Sequence, residues 1–538
     1  MTAHVDTFAR DQLPPRELWP ALDFSDAPWL KYPERLNCAA ELLDRNVDRG
    51  RGDSVALRFP GGQWTFAQLL EQANRIATVL VRDFGLVPGN RVLLRAPNNP
   101  MLVACWFGVL KAGGICVTTM PLLRARELAY TIDKAEIWLA LCDARFKEEL
   151  EQAQKAAPML QKIVLWGGGD GEHLEAHVRR ASSDFRTVET AADDVAIIAF
   201  TSGTTGQAKG CAHFHRDLIA TADLFPRSCV KADPGDLFCG SPPLAFTFGL
   251  GALVQFPMRI GAATLLLEQG SPPHLIKAIE DFRATVVFTA PTAYRAMLGM
   301  FTEHDVSSLR KCVSAGEHLP RPTFEAWYRA TGIRIIDGIG STEMLHIFIS
   351  AAEEEIRPGS TGRAIPGYRA RIVDDAGREV PRGTIGRLAV QGPTGCRYLG
   401  NEERQRTYVG DGWNFPGDSF YEDEDGYFWY QARTDDMIIS SGYNISAAEV
   451  ENVLLEHPSV QECGVVGVPD EERGQLVMAF VVLRAGHHPS EELVKALQEF
   501  AKAQIAPYKY PRAVEFVTAL PRTETGKLQR YRLRGARA

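Results

Sequence analysis

Residues 201–210 read TSGTTGQAKG, three glycines, four hydroxyl side chains and one lysine, directly after the apolar run VAIIAF. Glycines let a ligand approach the backbone closely, hydroxyls and free N–H groups donate to phosphate oxygens, and Lys209 adds charge. A Walker A loop is excluded, because Gly206 is followed by Gln-Ala-Lys-Gly, and no convincing GxGxxG follows a strand. From these residues alone a polyphosphate cradle and a surface turn are both open, the cradle being the better match. DGIGSTEMLHIFIS, residues 337–350, places Glu343 where one carboxylate could hold Mg²⁺ beside phosphates; its other reading is a helix N-terminal acid. Asp418 in FPGDSF could accept from two ribose hydroxyls, and Arg433 in QARTDD could complement hydroxyls or phosphate. Each of these singly also suits a turn or surface position. Gly442 in ISSGYN and Lys527 in PRTETGKLQR complete the set, although a tail lysine by itself is most simply solvated. No Ser/His/Asp or Cys/His catalytic arrangement is evident.

The elements that must carry these residues are legible as apolar runs. RVLLRAP, KIVLWGG, VAIIAF, ATVVFTAP and IRIIDGIG alternate with helical patterns, which predicts βαβ units with buried, largely parallel sheets and ligands at strand ends. MLVACWFGVLKAGGICVTTMP reads as a buried helix ending at KAGG and then a strand, since Lys111 and a glycine pair interrupt any membrane span. After about residue 370 shorter strands and polar turns predict a smaller β-rich subdomain. A further change falls at Arg433 to Asp436; beyond it Ser446 and Glu449 have capping-box spacing ahead of AAEVENVLLEH. Two strands, ECGVVGV and VMAFVVL, a helix near 490–505 and a basic tail follow. The fold class is therefore α/β: a large N-terminal domain of stacked, parallel-rich subdomains plus a β-rich one, 1–434, and a small mobile α+β domain, 435–538.

The chain has 538 residues, 45% hydrophobic and 23% charged, with net charge -8, so it reads as multidomain and globular, with no general field for nucleic acid. The tail from Pro521 carries six basic residues and one acid, which offers a nucleic-acid reading that enclosing Lys527 explains more simply. Ten scattered cysteines, without CxxC or zinc spacing, and an N-terminus without the apolar core of a signal peptide predict a cytoplasmic protein with reduced thiols.

Taken in order, TSGTTGQAKG, PPLAFTFGLG, DGIGSTEM, the GD of FPGDSF, ARTDDMIISSGYN and PRTETGK resemble the adenylate-forming superfamily of acyl-CoA synthetases, adenylation domains and luciferases, over essentially the whole chain. The resemblance implies that a carboxylic acid reacts with Mg-ATP to give an acyl-adenylate and diphosphate, and that the acyl group then passes to the thiol of coenzyme A. By similarity Thr201, Ser202, Gly203, Thr204, Thr205, Gly206 and Lys209 hold the β- and γ-phosphates. Thr342 meets the α-phosphate and Glu343 the magnesium ion. Gly316, Glu317, Asp337, Gly338 and Ile339 border adenine, and Asp418 with Arg433 binds ribose. Lys527 carries adenylation, neutralising charge shared by the attacking carboxylate and the α-phosphate. The small domain then swings about Asp435, bringing Ser441, Gly442 and Tyr443 to line the coenzyme A channel. Ala208 and Ala432 depart from the proline and glycine usual in the family.

GSPPLAFTFGLG, FTAPTAYRAML, SAGEHLP, DGIGSTEMLHIF and GPTGCRYLG are most similar to benzoate and 2-aminobenzoate CoA ligases, with DGYFWYQARTDDMIISSGYNI nearer the 2-aminobenzoate branch. The resemblance places Leu224, Phe225, Phe246, Ala315, Gly340, His346 and Ile347 in the acyl pocket, a set suited to a small flat ring. His346 follows a helix pattern and on its own reads as a core histidine. Asp223 is a candidate partner for an ortho-amino group, but reads more simply as a solvated helix-face acid. The expected partner is thus a small aromatic carboxylic acid used in aromatic acid degradation, with no nucleic acid and no membrane; a homodimer is one assembly open to it. The main competing reading, a module loading an amino acid onto a carrier protein, would place an aspartate where this chain has Phe246 and Thr247.

Overall fold

The computed structural model describes residues 1–168, 173–201, 208–433, 436–440, 443–470, 473–505, 509–522 and 528–535. The predicted apolar runs become strands Arg91–Arg95, Lys162–Trp166, Val195–Phe200, Val286–Thr289 and Ile335–Gly340. Arg91–Arg95 is buried at every position, as a strand covered on both faces must be. Together with Lys162–Trp166, Leu139–Asp143, Ile115–Thr119, Val195–Phe200 and Gly210–Phe214 it builds a six-stranded sheet that is parallel except for the last strand, which folds back antiparallel on Val195–Phe200. A second sheet of nine strands is parallel from Ile335–Gly340 across to Val55–Phe59 and antiparallel at both edges.

Helix Phe66–Arg82 starts at a capping box, in which the Thr65 side chain accepts from the Gln68 amide at 3.2 Å and the Gln68 side chain accepts from the Thr65 amide at 2.9 Å. Leu69, Ala73, Ile76, Ala77 and Leu80 recur at helical spacing and are fully buried. They face helix Pro100–Lys111, where a side chain at Gly108 would come within 2.6 Å of Ile76, so the glycine sets how closely the helices approach. The helix ends at Lys111 and strand Ile115–Thr119 follows, as its sequence predicts. Lys111 is fully buried and paired with Asp44. Among the described residues no helix is long and apolar enough to cross a membrane.

Residues 369–433 form the β-rich part, a six-stranded sheet that ends with Asp418–Glu422 paired to Phe428–Arg433. A separate five-stranded sheet begins at Ile438–Ser440 and carries the long hairpin Val460–Asp470 and Gly474–Leu483, with helices Ala447–Glu456 and Glu491–Gln504. Ser446 caps its helix by accepting from the Glu449 amide at 3.2 Å, whereas the Glu449 carboxylate is drawn to Lys509 at 2.7 Å. The architecture is the expected one: large α/β layers, a β-rich region and a small C-terminal α+β unit.

Candidate active site

The candidate residues gather where parallel strands end. Val286–Thr289, Lys311–Ser314 and Ile335–Gly340 finish side by side, and Ala315, Gly316 and Glu317 follow the second of them. Gly316 needs φ of +92°, a left-handed turn that suits glycine. Thr201 and Lys209 close the base of the hairpin loop between Val195–Phe200 and Gly210–Phe214: the Thr201 amide donates to the Lys209 carbonyl at 3.0 Å. Ser202, Gly203, Thr204, Thr205 and Gly206 lie outside the described residues, as do Asp435, Ser441, Gly442 and Lys527. Tyr443 begins the strand Tyr443–Ile445.

Electrostatics at the loop base suit an anion. Burial lowers the Lys209 pKa, Arg404 and then Arg433 push the same way, and Glu343 opposes them. A cationic group depressed partly by other cations is one that a polyanion would stabilise.

Glu343 does not sit on a helix. It occupies a turn between the antiparallel strands Ile335–Gly340 and Ile347–Ser350, and His346 lies in the same turn, contrary to the helix pattern. Ser341 accepts from the Met344 amide at 3.2 Å, and Leu345 is held at φ +72°, a left-handed conformation that is uncommon without glycine. Two side chains absent from the predicted site fix this turn. His213 Nε2 donates to the Thr342 carbonyl at 2.7 Å, and Tyr398 Oη donates to Glu343 Oε1 at 2.6 Å. Both come from the Val195–Phe200/Gly210–Phe214 hairpin or its neighbour: the Ala212 amide donates to the Arg397 carbonyl, and the Leu399 amide donates to the Gly210 carbonyl. Beneath them the fully buried Arg397 pairs with buried Asp217 at 2.9 Å and lies 4.0 Å from the Phe214 ring centroid. Among the described residues no cluster of three or more His, Cys, Asp or Glu could hold a metal. A magnesium ion arriving on a nucleotide needs only one or two carboxylates, and Glu343 fits that lesser demand.

At the expected adenine border, Asp337 keeps one buried oxygen, Oδ1, without a partner. Burial pushes its pKa up to about 8, with the Gly338 amide and the Ser314 hydroxyl opposing. Asp418 and Arg433 face each other across paired strands, the Arg433 Nη1 lying 3.3 Å from both carboxylate oxygens.

The acyl side is aromatic. His346 is 3% exposed, and its ring centroid lies 4.5 Å from Phe256, 5.6 Å from Phe225 and 5.7 Å from Phe248. Neither ring nitrogen completes a hydrogen bond, and burial lowers its pKa to about 3, the Phe248 backbone only partly offsetting this. Gly251 makes room for the ring, since a side chain there would come within 2.3 Å of His346 Cδ2. Phe248, Phe256 and Gly251 escape the sequence reading, although the first and last stand in PPLAFTFGLG. Gly340 and Ile347 flank the histidine turn, a side chain at Gly340 meeting the Ile347 amide at 2.8 Å. Leu224 packs toward Gly367, Ala315 is 5% exposed, and Phe246 caps helix Thr247–Leu250.

Asp223 is not a solvated acid. It is 8% exposed, and Arg259 grips it through two nitrogens at 3.0 and 2.9 Å while Tyr32 donates at 3.1 Å. With both oxygens engaged, it is ill placed to take a substrate amino group.

This geometry agrees with what the chain is similar to. The AMP-binding enzyme model matches residues 43–398, and the AMP-binding enzyme C-terminal domain model matches residues 449–527. The benzoate–CoA ligase of Thauera aromatica is 35% identical over 515 residues, covering 95% of this chain and 98% of its own. The crystal structure of the anthranilate CoA ligase AuaEII in complex with anthranoyl-AMP superposes with a TM-score of 0.90 at 36% identity, covering 94% of this chain and 98% of that one. A benzoate CoA ligase from Burkholderia xenovorans LB400 gives 0.85 at 33% identity, covering 93% and 100%. Family models that match both lobes lead to one conclusion: the chain belongs to the AMP-binding enzyme family, the adenylate-forming superfamily of acyl-CoA synthetases.

Proposed function

We propose that this protein is an AMP-forming aryl-CoA ligase that converts 2-aminobenzoate, ATP and coenzyme A to 2-aminobenzoyl-CoA, AMP and diphosphate through an aryl-adenylate, in aromatic acid degradation in the cytoplasm. The observation that carries it is the His346 cage: an imidazole with both nitrogens unpaired, enclosed by Phe225, Phe248 and Phe256. With its pKa near 3 the ring is neutral at working pH, so one nitrogen donates and the other accepts. A carboxylate with a neighbouring aromatic amine asks for that pair, one donor for the acid oxygen and one acceptor for the N–H. The phenylalanines supply faces for a flat ring. Benzoate is the second reading, supported by the engagement of Asp223 with Arg259, which leaves no nearby carboxylate for the amino group.

In this reading Lys209 and the loop from Thr201 hold the β- and γ-phosphates, Glu343 the magnesium ion, and Thr342 the α-phosphate. Asp337, with its unpaired oxygen, accepts from the adenine amino group, beside Gly316, Glu317, Gly338 and Ile339. Asp418 and Arg433 take the ribose. Lys527, from the 435–538 domain, meets the carboxylate and α-phosphate; rotation about Asp435 then brings Ser441, Gly442 and Tyr443 to the coenzyme A channel. The test is kcat/KM for AMP release with 2-aminobenzoate, benzoate, fluorobenzoates, 4-hydroxybenzoate, octanoate and free amino acids. Preference for 2-aminobenzoate is expected; preference for benzoate selects the second reading, and turnover only with octanoate or amino acids refutes both. Lys527→Ala is expected to abolish acid-dependent ATP–diphosphate exchange.

A further inference from the structure

The two lobes meet through a chain of alternating charges. Arg522 Nη1 lies 3.1 Å from Glu317 Oε1 in the large lobe, and its Nη2 lies 3.1 Å from Glu462 Oε2 in the small one. Glu462 in turn faces Arg295 of the large lobe at 3.9 Å, and Arg295 Nη1 donates to the Gln461 carbonyl at 3.2 Å. The order is Arg295, Glu462, Arg522, Glu317, with the lobes contributing large, small, small, large. These side chains are between 17% and 27% exposed, so water screens them less than free surface pairs. A second contact lies beside the chain: His318 and Asn452 approach to 3.2 Å, and the His318 ring stacks on Tyr430 with centroids 5.5 Å apart.

Arg522 also sits at a structural base. Its backbone bridges to Leu528, and the Gln529 amide donates to the Pro521 carbonyl at 2.9 Å. Lys527 precedes Leu528 in the sequence, so the chain bearing it starts about 3.8 Å, one Cα step, from a residue pair anchored on Glu317.

We infer that Arg522 is a positioning residue that holds the lobes in the arrangement seen here, and that this arrangement serves adenylation rather than acyl transfer. The inference rests on the proposed function, because it needs Lys527 to act in the first half-reaction. One guanidinium serves carboxylates from both lobes. Its loss removes a contact to each lobe at once, while Glu462 keeps the longer approach of Arg295 at 3.9 Å. Acyl transfer, which needs the small domain turned away, does not use the contact.

The test separates the half-reactions. In Arg522→Ala, aryl-acid-dependent ATP–diphosphate exchange is expected to fall about tenfold or more, the shift expected when a charge-assisted pair is lost. Aryl-CoA formation from supplied aryl-adenylate and coenzyme A should stay within about twofold of wild type, because no term in that equilibrium is weakened. Glu462→Gln, a nearly isosteric change, should lower exchange less and also spare transfer. Equal loss of both half-reactions in both single variants, or undiminished exchange in Arg522→Ala, overturns the inference. A wild-type protein with no aryl-acid-dependent exchange would overturn the proposed function instead.

Discussion

Replacing Gly251 by alanine tests the acyl-pocket geometry most directly. The residue is helical, with φ -60° and ψ -56°, so alanine by itself should favour the folded state by about 1 kcal/mol. The added carbon would lie 2.3 Å from His346 Cδ2, 2.7 Å from Nε2 and 3.1 Å from Phe256 Cζ. Restoring carbon–carbon contact near 3.5 Å requires the imidazole to move by about 1 Å, and overpacking of this kind costs roughly 1–3 kcal/mol. The ring has little room to yield, because Phe256 meets it edge-on at 4.5 Å while Phe225 and Phe248 stand on other sides. The two stability terms leave a net cost of about 0–2 kcal/mol, while displacement of a positioned polar group by about 1 Å can cost ~100-fold in rate. We therefore expect kcat/KM for 2-aminobenzoate and benzoate, measured by AMP release, to fall by about 10- to 100-fold, with a denaturation midpoint lowered by no more than that net cost. In a His346→Ala background the same substitution meets only the edge of Phe256, at 3.1 Å, and should cost about twofold. Wild-type kcat/KM in Gly251→Ala, or an equal loss with and without the histidine, would refute the reasoning.

Tyr398→Phe removes the 2.6 Å hydrogen bond to Glu343 and should lower diphosphate exchange by about 10-fold or more, as loss of a bond to a charged group does, with a higher Mg²⁺ requirement in the same assay. Asp337 loses its proton near 3.8 when unfolded and near about 8 when folded, so between these values the unfolded state binds fewer protons. Stability is then full below that window and declines as pH rises through it; Asp337→Asn should flatten the slope in denaturant midpoints between about pH 5 and about pH 8.5. Arg397→Met strands the carboxylate of Asp217, and thermal unfolding should report a loss of about 3–5 kcal/mol, the usual result of breaking a buried pair.

Local chemistry was readable in the sequence where it needed only neighbours along the chain. Strand Val195–Phe200 and the loop after it are contiguous, and burial on both faces demands an apolar run whatever the remainder does. Ser446 likewise announces a helix start, and it caps Ala447–Glu456 by accepting from the Glu449 amide. The segment MLHIFIS misled because a short apolar run fits a strand or a buried helix equally well, and pairing with Ile335–Gly340 decided for the strand.

What the sequence by itself determined is therefore the α/β layering and the family, each written in contiguous motifs whose residue types leave little choice of conformation. The tertiary structure alone decided which side chains meet: Tyr398 reaches Glu343 across 55 positions, His213 reaches Thr342 across 129, and Arg259 claims Asp223 across 36. A hydrogen bond acts over about 3 Å and leaves no periodic trace in the chain, so these partnerships exist only once the sheets have stacked.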